Sequence, residues 1–124
     1  MHIITLVTSD AISLTLISDP KSQLGRIYGS RVNVTCTAEL SPAIDVLVTV
    51  QIQLTDPAGR LLANETFNNA SSSTYSSEGI ISSFRSEHNG IYMCSVTLTA
   101  LELQRNITKS DTVHIYSGKI IFRH

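Results

Sequence analysis

The cysteine and histidine side chains that could act as nucleophiles or metal ligands are few and widely separated in this sequence. Its two cysteines are Cys36 and Cys94, and none of its four histidines stands at a metal-ligand spacing from another histidine or from a cysteine. These histidines are His2, His88, His114 and His124. No serine stands in a Gly-x-Ser-x-Gly motif, and no glycine-rich phosphate loop follows a predicted strand. We therefore expect a domain that is not an enzyme and that holds no cofactor or metal ion.

Four asparagines stand in the Asn-x-Ser/Thr pattern that accepts N-linked glycans. They are Asn33, Asn64, Asn69 and Asn106. We expect Asn64, Asn69 and Asn106 to fall in or near loops, and Asn33 to point outward from a strand, away from the face of the neighbouring cysteine. Four such sites in one short chain favour an extracellular protein.

Length and charge restrict the class of protein further. The chain has 124 residues, enough for one domain, and its formal net charge of −1 gives no basic surface for nucleic acid. No apolar run approaches about 18 residues, so we expect no direct membrane insertion by this segment. We predict a domain at 12–117, preceded at 1–11 by a leader or a segment added for expression. Residues 118–124 are interpreted as a linker, a strand extension or a vector remnant.

Short runs rich in Val, Ile, Thr and Tyr recur between turn residues, which is typical of an all-β sandwich. We expect strands at about 12–17, 31–40, 48–54, 79–84, 90–99 and 109–116, with a long connection at 41–46. Leu61 and Leu62 begin a further short strand. The stretch 64–79 is rich in serine and threonine and is predicted to be the most loop-like part.

The run 90–94, Gly-Ile-Tyr-Met-Cys, places Tyr92 two residues before Cys94. Together with the alternating strand that contains Cys36, this run resembles the immunoglobulin superfamily over about 12–117. The resemblance implies a Greek-key sandwich of two antiparallel sheets, of intermediate or variable-like type. It also implies a disulfide between Cys36 and Cys94 across the sheets, and a tyrosine corner at Tyr92, whose hydroxyl binds backbone a few residues upstream.

The sequence departs from the family pattern at two positions. It contains no tryptophan, although the family packs one against the disulfide from the third strand. We expect Leu54 to take that place in the core, with Ile52 or Val50 as alternatives of the same parity. His88 stands where the family usually has an acidic residue, four positions before the tyrosine.

The runs 36–42 (CTAELSP), 56–59 (DPAG) and 82–84 (SSF) are similar to immunoglobulin-like repeats of invertebrate cell-surface receptors, most of all those of a marine-sponge receptor tyrosine kinase. This resemblance implies an extracellular recognition or adhesion module with similar neighbouring domains, which binds a protein ligand or itself. A structural spacer in an adhesion or matrix protein and a secreted innate-recognition protein remain alternatives. An exposed apolar patch on one sheet would favour binding, and glycans on both faces would favour the spacer. The candidate contact residues are Tyr28, Tyr75 and Arg105.

Overall fold

The computed structural model describes residues 12–19, 28–40, 48–70, 73–100 and 105–116. They form strands β1 (Ile12–Asp19), β2 (Val32–Leu40), β3 (Val48–Thr55), β4 (Leu61–Ala70), β5 (Thr74–Ile81), β6 (Gly90–Ala100) and β7 (Arg105–Ile115). One 3₁₀ turn, Ser86–His88, lies between β5 and β6. The predicted segments 1–11 and 118–124 and the connection 41–46 lie outside the described residues.

The seven strands make two antiparallel sheets. One has the order β1-β2-β5 and the other the order β4-β3-β6-β7. Because β2 pairs with β5 and β3 pairs with β6, the connections cross between the sheets as they do in a Greek key. The predicted immunoglobulin-like sandwich is therefore confirmed.

Strict alternation of side chains produces the shared core. Every second residue of β2 and β3 is buried, and the residues between them face the outer side of the sheet. Burial of each large aliphatic side chain contributes about 1.5–3 kcal/mol, which drives the two sheets together. The largest fully buried side chains include Tyr92, Phe84, Ile12, Ile52, Leu54, Leu98, Ile115 and Val50.

The predicted disulfide is present between Cys36 on β2 and Cys94 on β6, and it joins the two sheets. The Cα atoms are 6.2 Å apart, and the two residues are separated by 58 positions in the chain. Leu54 is fully buried and lies directly opposite Cys94 in the pairing of β3 with β6. The third strand therefore presents an aliphatic side chain beside the disulfide.

The side chains of Leu62 and Leu54 converge on Gly79 of β5. A Cβ atom at Gly79 would collide with Leu62, whose Cδ2 lies 2.7 Å away, and would press on Cδ2 of Leu54 at 3.2 Å. The leucines thus occupy the volume that a side chain on β5 would need. A glycine inside a strand often marks a position where other groups approach the backbone this closely.

The prediction that 64–79 is the most loop-like part is wrong. Most of this stretch belongs to β4 and β5, which occupy outer edges of the two sheets. In β5 the polar Thr74, Ser76 and Glu78 face outward, whereas Tyr75 and Ser77 are buried. The abundance of serine and threonine on the outward positions hid the alternation, although threonine fits a pleated strand well.

Candidate functional site

Exposed apolar side chains gather at one end of the four-stranded sheet. Leu61 is 55% exposed, Ile91 is 49% exposed and Met93 is 40% exposed. Met93 lies opposite Thr55, and Thr55 in turn lies opposite Leu61, so these residues form a row across three strands. Ile91 stands two positions from Met93 on the same face of β6. We call Leu61, Ile91 and Met93 the apolar patch.

Two ring side chains border the apolar patch on β7. His114 lies directly opposite Ile91, and Tyr116 follows on the same side of the chain. Their rings are 5.9 Å apart, and a hydrogen bond of 3.1 Å joins Nδ1 of His114 to the hydroxyl of Tyr116. Tyr116 is itself 40% exposed, so it adds amphipathic surface to the rim of the patch.

Three of the four strands of this sheet present polar but uncharged outward residues. The outward residues of β3, β6 and β7 include no Asp, Glu, Lys or Arg, and hydroxyl pairs tie neighbouring strands. Beyond the patch these residues are Thr49, Gln51, Gln53, Thr55, Ser95, Thr97, Thr99, Asn106, Thr108, Ser110 and Thr112. These three strands present no fixed charge that would repel a partner of either sign or a copy of the domain, whereas the exposed charges of Arg60 and Glu65 lie at the β4 edge.

The turns at this end of the sandwich are held by Tyr92 and His88. The hydroxyl of Tyr92 donates a hydrogen bond of 2.7 Å to the carbonyl oxygen of His88, four residues upstream. Burial, and then the charge of Asp56, raises the pKa of Tyr92 to about 12. Nδ1 of His88 accepts a hydrogen bond of 2.8 Å from the backbone N–H of Arg85. The histidine thus supplies an acceptor to the turn at the position where the family resemblance leads one to expect a carboxylate.

Gly90 packs the start of β6 against the turn at 56–59. Its φ is +144°, and a Cβ atom at this position would meet Cβ of Pro57 at 2.8 Å. The two turns are therefore in contact directly beside the residue pair of Ile91 and His114. A rigid base of this kind fixes the position of the apolar patch.

An open pocket of about 360 Å³ lies at the same end, and Asp56, His88 and Tyr92 contribute to its wall. Oδ1 of Asp56 accepts hydrogen bonds from the backbone N–H groups of Ala58 and Arg60, at 3.0 and 2.8 Å. These polar atoms are thus already used to build the turns. Among the residues that the structure describes, no group of three His, Cys, Asp or Glu side chains is placed to hold a metal ion.

The three candidate contact residues have different surroundings. Tyr28 is 46% exposed, and its hydroxyl accepts a hydrogen bond of 2.8 Å from Nδ2 of Asn89. The choice of Tyr75 is wrong, because only 7% of this residue is exposed and its ring packs on Phe67 at 4.9 Å. It occupies an inward position of β5. Arg105 begins β7, and its side chain lies outside the described residues.

Reasoning from the sequence missed the apolar patch. Ile91 and Met93 alternate with Tyr92 and Cys94, and this parity already directs both of them to the outer face. Leu61 gave no such signal, because its position depends on the pairing of β4 with β3 and on the register shift between Leu54 and Thr55.

The four acceptor asparagines all lie on strands. Asn69 is one residue from the end of β4 and Asn106 is the second residue of β7, so both stand near a strand end, whereas the prediction of a position in or near a loop is wrong for Asn64, which lies within β4. Asn64 and Asn106 are exposed on the outer face of the four-stranded sheet, opposite Gln53 and Thr99 respectively. Asn33 is half-buried on the outer face of the three-stranded sheet. Asn69 belongs to β4, and its side chain lies outside the described residues. Acceptor asparagines therefore stand on both faces of the sandwich.

Within the described part of the chain, no helix has the length and apolar character needed to cross a bilayer. A comparison with family models and with curated proteins found no match to this sequence, so the functional argument rests on the sandwich and its two outer faces.

Proposed function

We propose that this domain is an extracellular recognition module of a cell-surface receptor, which binds a protein partner through the apolar patch. The receptor class is inferred from the resemblance to the ectodomains of invertebrate receptors, including a receptor tyrosine kinase. The module contributes binding and no catalysis. Its partner is a protein ligand or a second copy of the same domain.

The disulfide and the acceptor asparagines support the extracellular location. A link between Cys36 and Cys94 persists in an oxidising compartment and is rare in the cytosol. Exposed Asn64 and Asn106 stand in sequences that are modified in the secretory pathway.

The apolar patch is the observation that carries the binding role. Leu61, Ile91 and Met93 are each at least 40% exposed; Ile91 and Met93 are adjacent on one face of β6, and Leu61 lies in the same row as Met93 on the far side of Thr55. Exposed apolar surface with a polar surround marks interaction sites on protein domains. The patch stands on the rigid end of a disulfide-linked sandwich, so little ordering is required when a partner binds.

Charge favours the four-stranded face over the opposite one for contact between two copies. The outward residues of the three-stranded sheet include the carboxylates Asp19, Glu39 and Glu78, and the exposed Arg31, which precedes β2 and contacts Asn33, supplies one cation beside them. Two such faces would bring carboxylates together, whereas two four-stranded faces would not. Single domains of this type associate weakly, and tandem copies on a membrane would raise the effective affinity.

Sedimentation velocity of the oxidised, unglycosylated domain tests the homophilic form of the proposal. We expect the weight-average sedimentation coefficient to rise between micromolar and millimolar concentration. Met93→Glu should abolish this rise, because it would bury a carboxylate in the contact. Ile80→Glu is the matched control, since Ile80 is 48% exposed on the opposite face. A strictly monomeric wild type at millimolar concentration would reject self-association and leave a different protein as the partner.

One observation favours a second candidate function, that of a structural spacer in a multi-domain adhesion or matrix protein. Acceptor asparagines stand on both outer faces, and Asn64 is only one row from the apolar patch. Peptide mapping of protein secreted from animal cells distinguishes the roles. Full occupancy at Asn33, Asn64 and Asn106, combined with no self-association and no captured ligand, would support the spacer.

A further inference from the structure

Two exposed isoleucines on the three-stranded sheet lie outside the apolar patch. Ile17 on β1 is 41% exposed and Ile80 on β5 is 48% exposed. They are separated by the central strand β2, so they do not form a continuous apolar surface with each other. Single exposed isoleucines are common on protein surfaces. The residue between these two, however, is a candidate acceptor for an N-linked glycan.

Asn33 is the residue between them. It lies directly opposite Ile80 on β5 and opposite Asp19 on β1, whereas Ile17 lies opposite Thr35. Directly opposed Cβ atoms are about 5 Å apart and diagonal ones about 7–8 Å apart, so both isoleucines are within reach of a group attached to Asn33.

The acceptor sequence is displayed on a single face. Asn33 and Thr35 both point outward, and the intervening Val34 is fully buried. Nε of Arg31 donates a hydrogen bond of 3.2 Å to Oδ1 of Asn33. This contact uses the oxygen of the amide, whereas a glycan is attached through the nitrogen Nδ2.

We infer that Asn33 carries an N-linked glycan whose first sugar rings cover Ile17 and Ile80. The bond forms between Nδ2 of Asn33 and C1 of the first N-acetylglucosamine, Nδ2 gives up one proton, and the lipid diphosphate of the sugar donor leaves. The C–H face of the sugar ring buries aliphatic surface of the isoleucines. The carboxylates of Asp19 and Glu78, opposite Asn33 and Thr35, accept hydrogen bonds from sugar hydroxyls.

This inference rests on the extracellular location proposed above and is independent of the identity of the protein partner. A glycan at Asn33 shields the three-stranded face and leaves the apolar patch on the other sheet accessible. The glycan then covers the centre of the three-stranded face, whereas the acceptor asparagines of the four-stranded face, Asn64 and Asn106, lie outside the apolar patch.

The first test is site occupancy in the domain secreted from animal cells. Glycans are released enzymatically in ¹⁸O-labelled water, which converts an occupied asparagine to labelled aspartate. Peptide mapping should find labelled aspartate at position 33. Unmodified Asn33 in the secreted protein would overturn the inference.

The second test is whether the sugar lies on the isoleucines. We expect the glycosylated wild type to melt a few degrees above the same sequence made without glycans in bacteria. In the background Ile17→Thr with Ile80→Thr, this difference should fall by more than half, because the apolar contacts are gone. An unchanged difference would overturn the contact.

A matched control removes a glycan from the other face. The protein is secreted from animal cells, either with the wild-type isoleucines or with Ile17→Thr and Ile80→Thr. Asn106→Gln should shift the melting temperature by the same amount in both backgrounds. The shift caused by Asn33→Gln should be larger with the wild-type isoleucines. Self-association through the apolar patch is measured on unglycosylated protein, so failure at Asn33 can be told apart from failure of the proposed function.

Discussion

The two outer faces of this sandwich share one core and differ in charge. The three-stranded face presents Asp19, Glu39 and Glu78, whereas β3, β6 and β7 present no outward Asp, Glu, Lys or Arg. The first face has an acceptor asparagine between two separated isoleucines. The second has the apolar patch, in which Ile91 and Met93 are adjacent on β6. Folding constrains the inward residues of both sheets, so the two faces differ mainly in their outward residues.

Removal of the disulfide should have the largest effect, and it should affect both faces because it unlinks the two sheets. The double change Cys36→Ala with Cys94→Ala opens a loop of 58 positions. The loop-entropy relation predicts a loss of about 4 kcal/mol in the free energy of unfolding. Urea unfolding of the double variant beside the oxidised parent measures this loss. Two thiols that react with an alkylating reagent in the native parent would contradict the link itself.

Truncation of Leu54 should also weaken both faces, since this side chain packs beside the disulfide in the shared core. Leu54→Ala should cost about 2–5 kcal/mol in the free energy of unfolding. Gln53→Ala is the matched control, because its side chain lies on the outer side of the same strand. A loss below about 0.5 kcal/mol for Leu54→Ala would mean that the leucine does not support the core, and Ile52 or Val50 would be the better choice.

Alkaline pH should loosen the end of the sandwich that supports the apolar patch. The pKa of Tyr92 is raised from 10.0 to about 12 in the folded protein. The stabilisation by this group is therefore complete below about pH 10 and is lost as the pH rises toward about 12, by at most about 1.4 kcal/mol per pH unit. Unfolding curves between these pH values measure the slope. Tyr92→Phe should flatten it, and Tyr116→Phe should leave it unchanged.

A side chain at Gly79 should disturb the junction of the two sheets. Gly79→Ala places a methyl group against Leu62 and Leu54, and overpacking of this kind costs about 1–3 kcal/mol. Combination with Leu62→Ala should restore most of the loss, because the methyl group then has space. Equal losses in the single and the double variant would argue against close contact at this site.

Substitutions on the outer faces should have the smallest effect on the free energy of unfolding. They should show most clearly whether only one of the two faces takes part in self-association. Met93→Ser and Ile80→Ser should each change the free energy of unfolding by no more than about 0.5 kcal/mol. Only Met93→Ser should weaken self-association in sedimentation velocity. If both variants weakened self-association equally, the two faces would not differ in their contribution to it.

Several features could be predicted from residues alone because they depend on local chemistry and on the period of two along a strand. The parity of Val48, Val50, Ile52 and Leu54 predicted the inward face of β3, and the family resemblance implied two antiparallel sheets. Tyr75 was misjudged because a polar stretch masked its inward parity. The same polar stretch hid the strands of 64–79, where the error concerned whether the residues form a strand at all.

What the sequence by itself determined is the all-β class and the inward alternation, since each follows from side-chain type and spacing, whereas the link between the two cysteines was implied by the family resemblance. Only the tertiary structure decided which strands are neighbours. That pairing placed Leu61 and Met93 in one row on either side of Thr55, and placed Asn33 between Ile17 and Ile80. These neighbours lie far apart in the chain, and the hydrogen-bonded register that unites them depends on the whole sandwich.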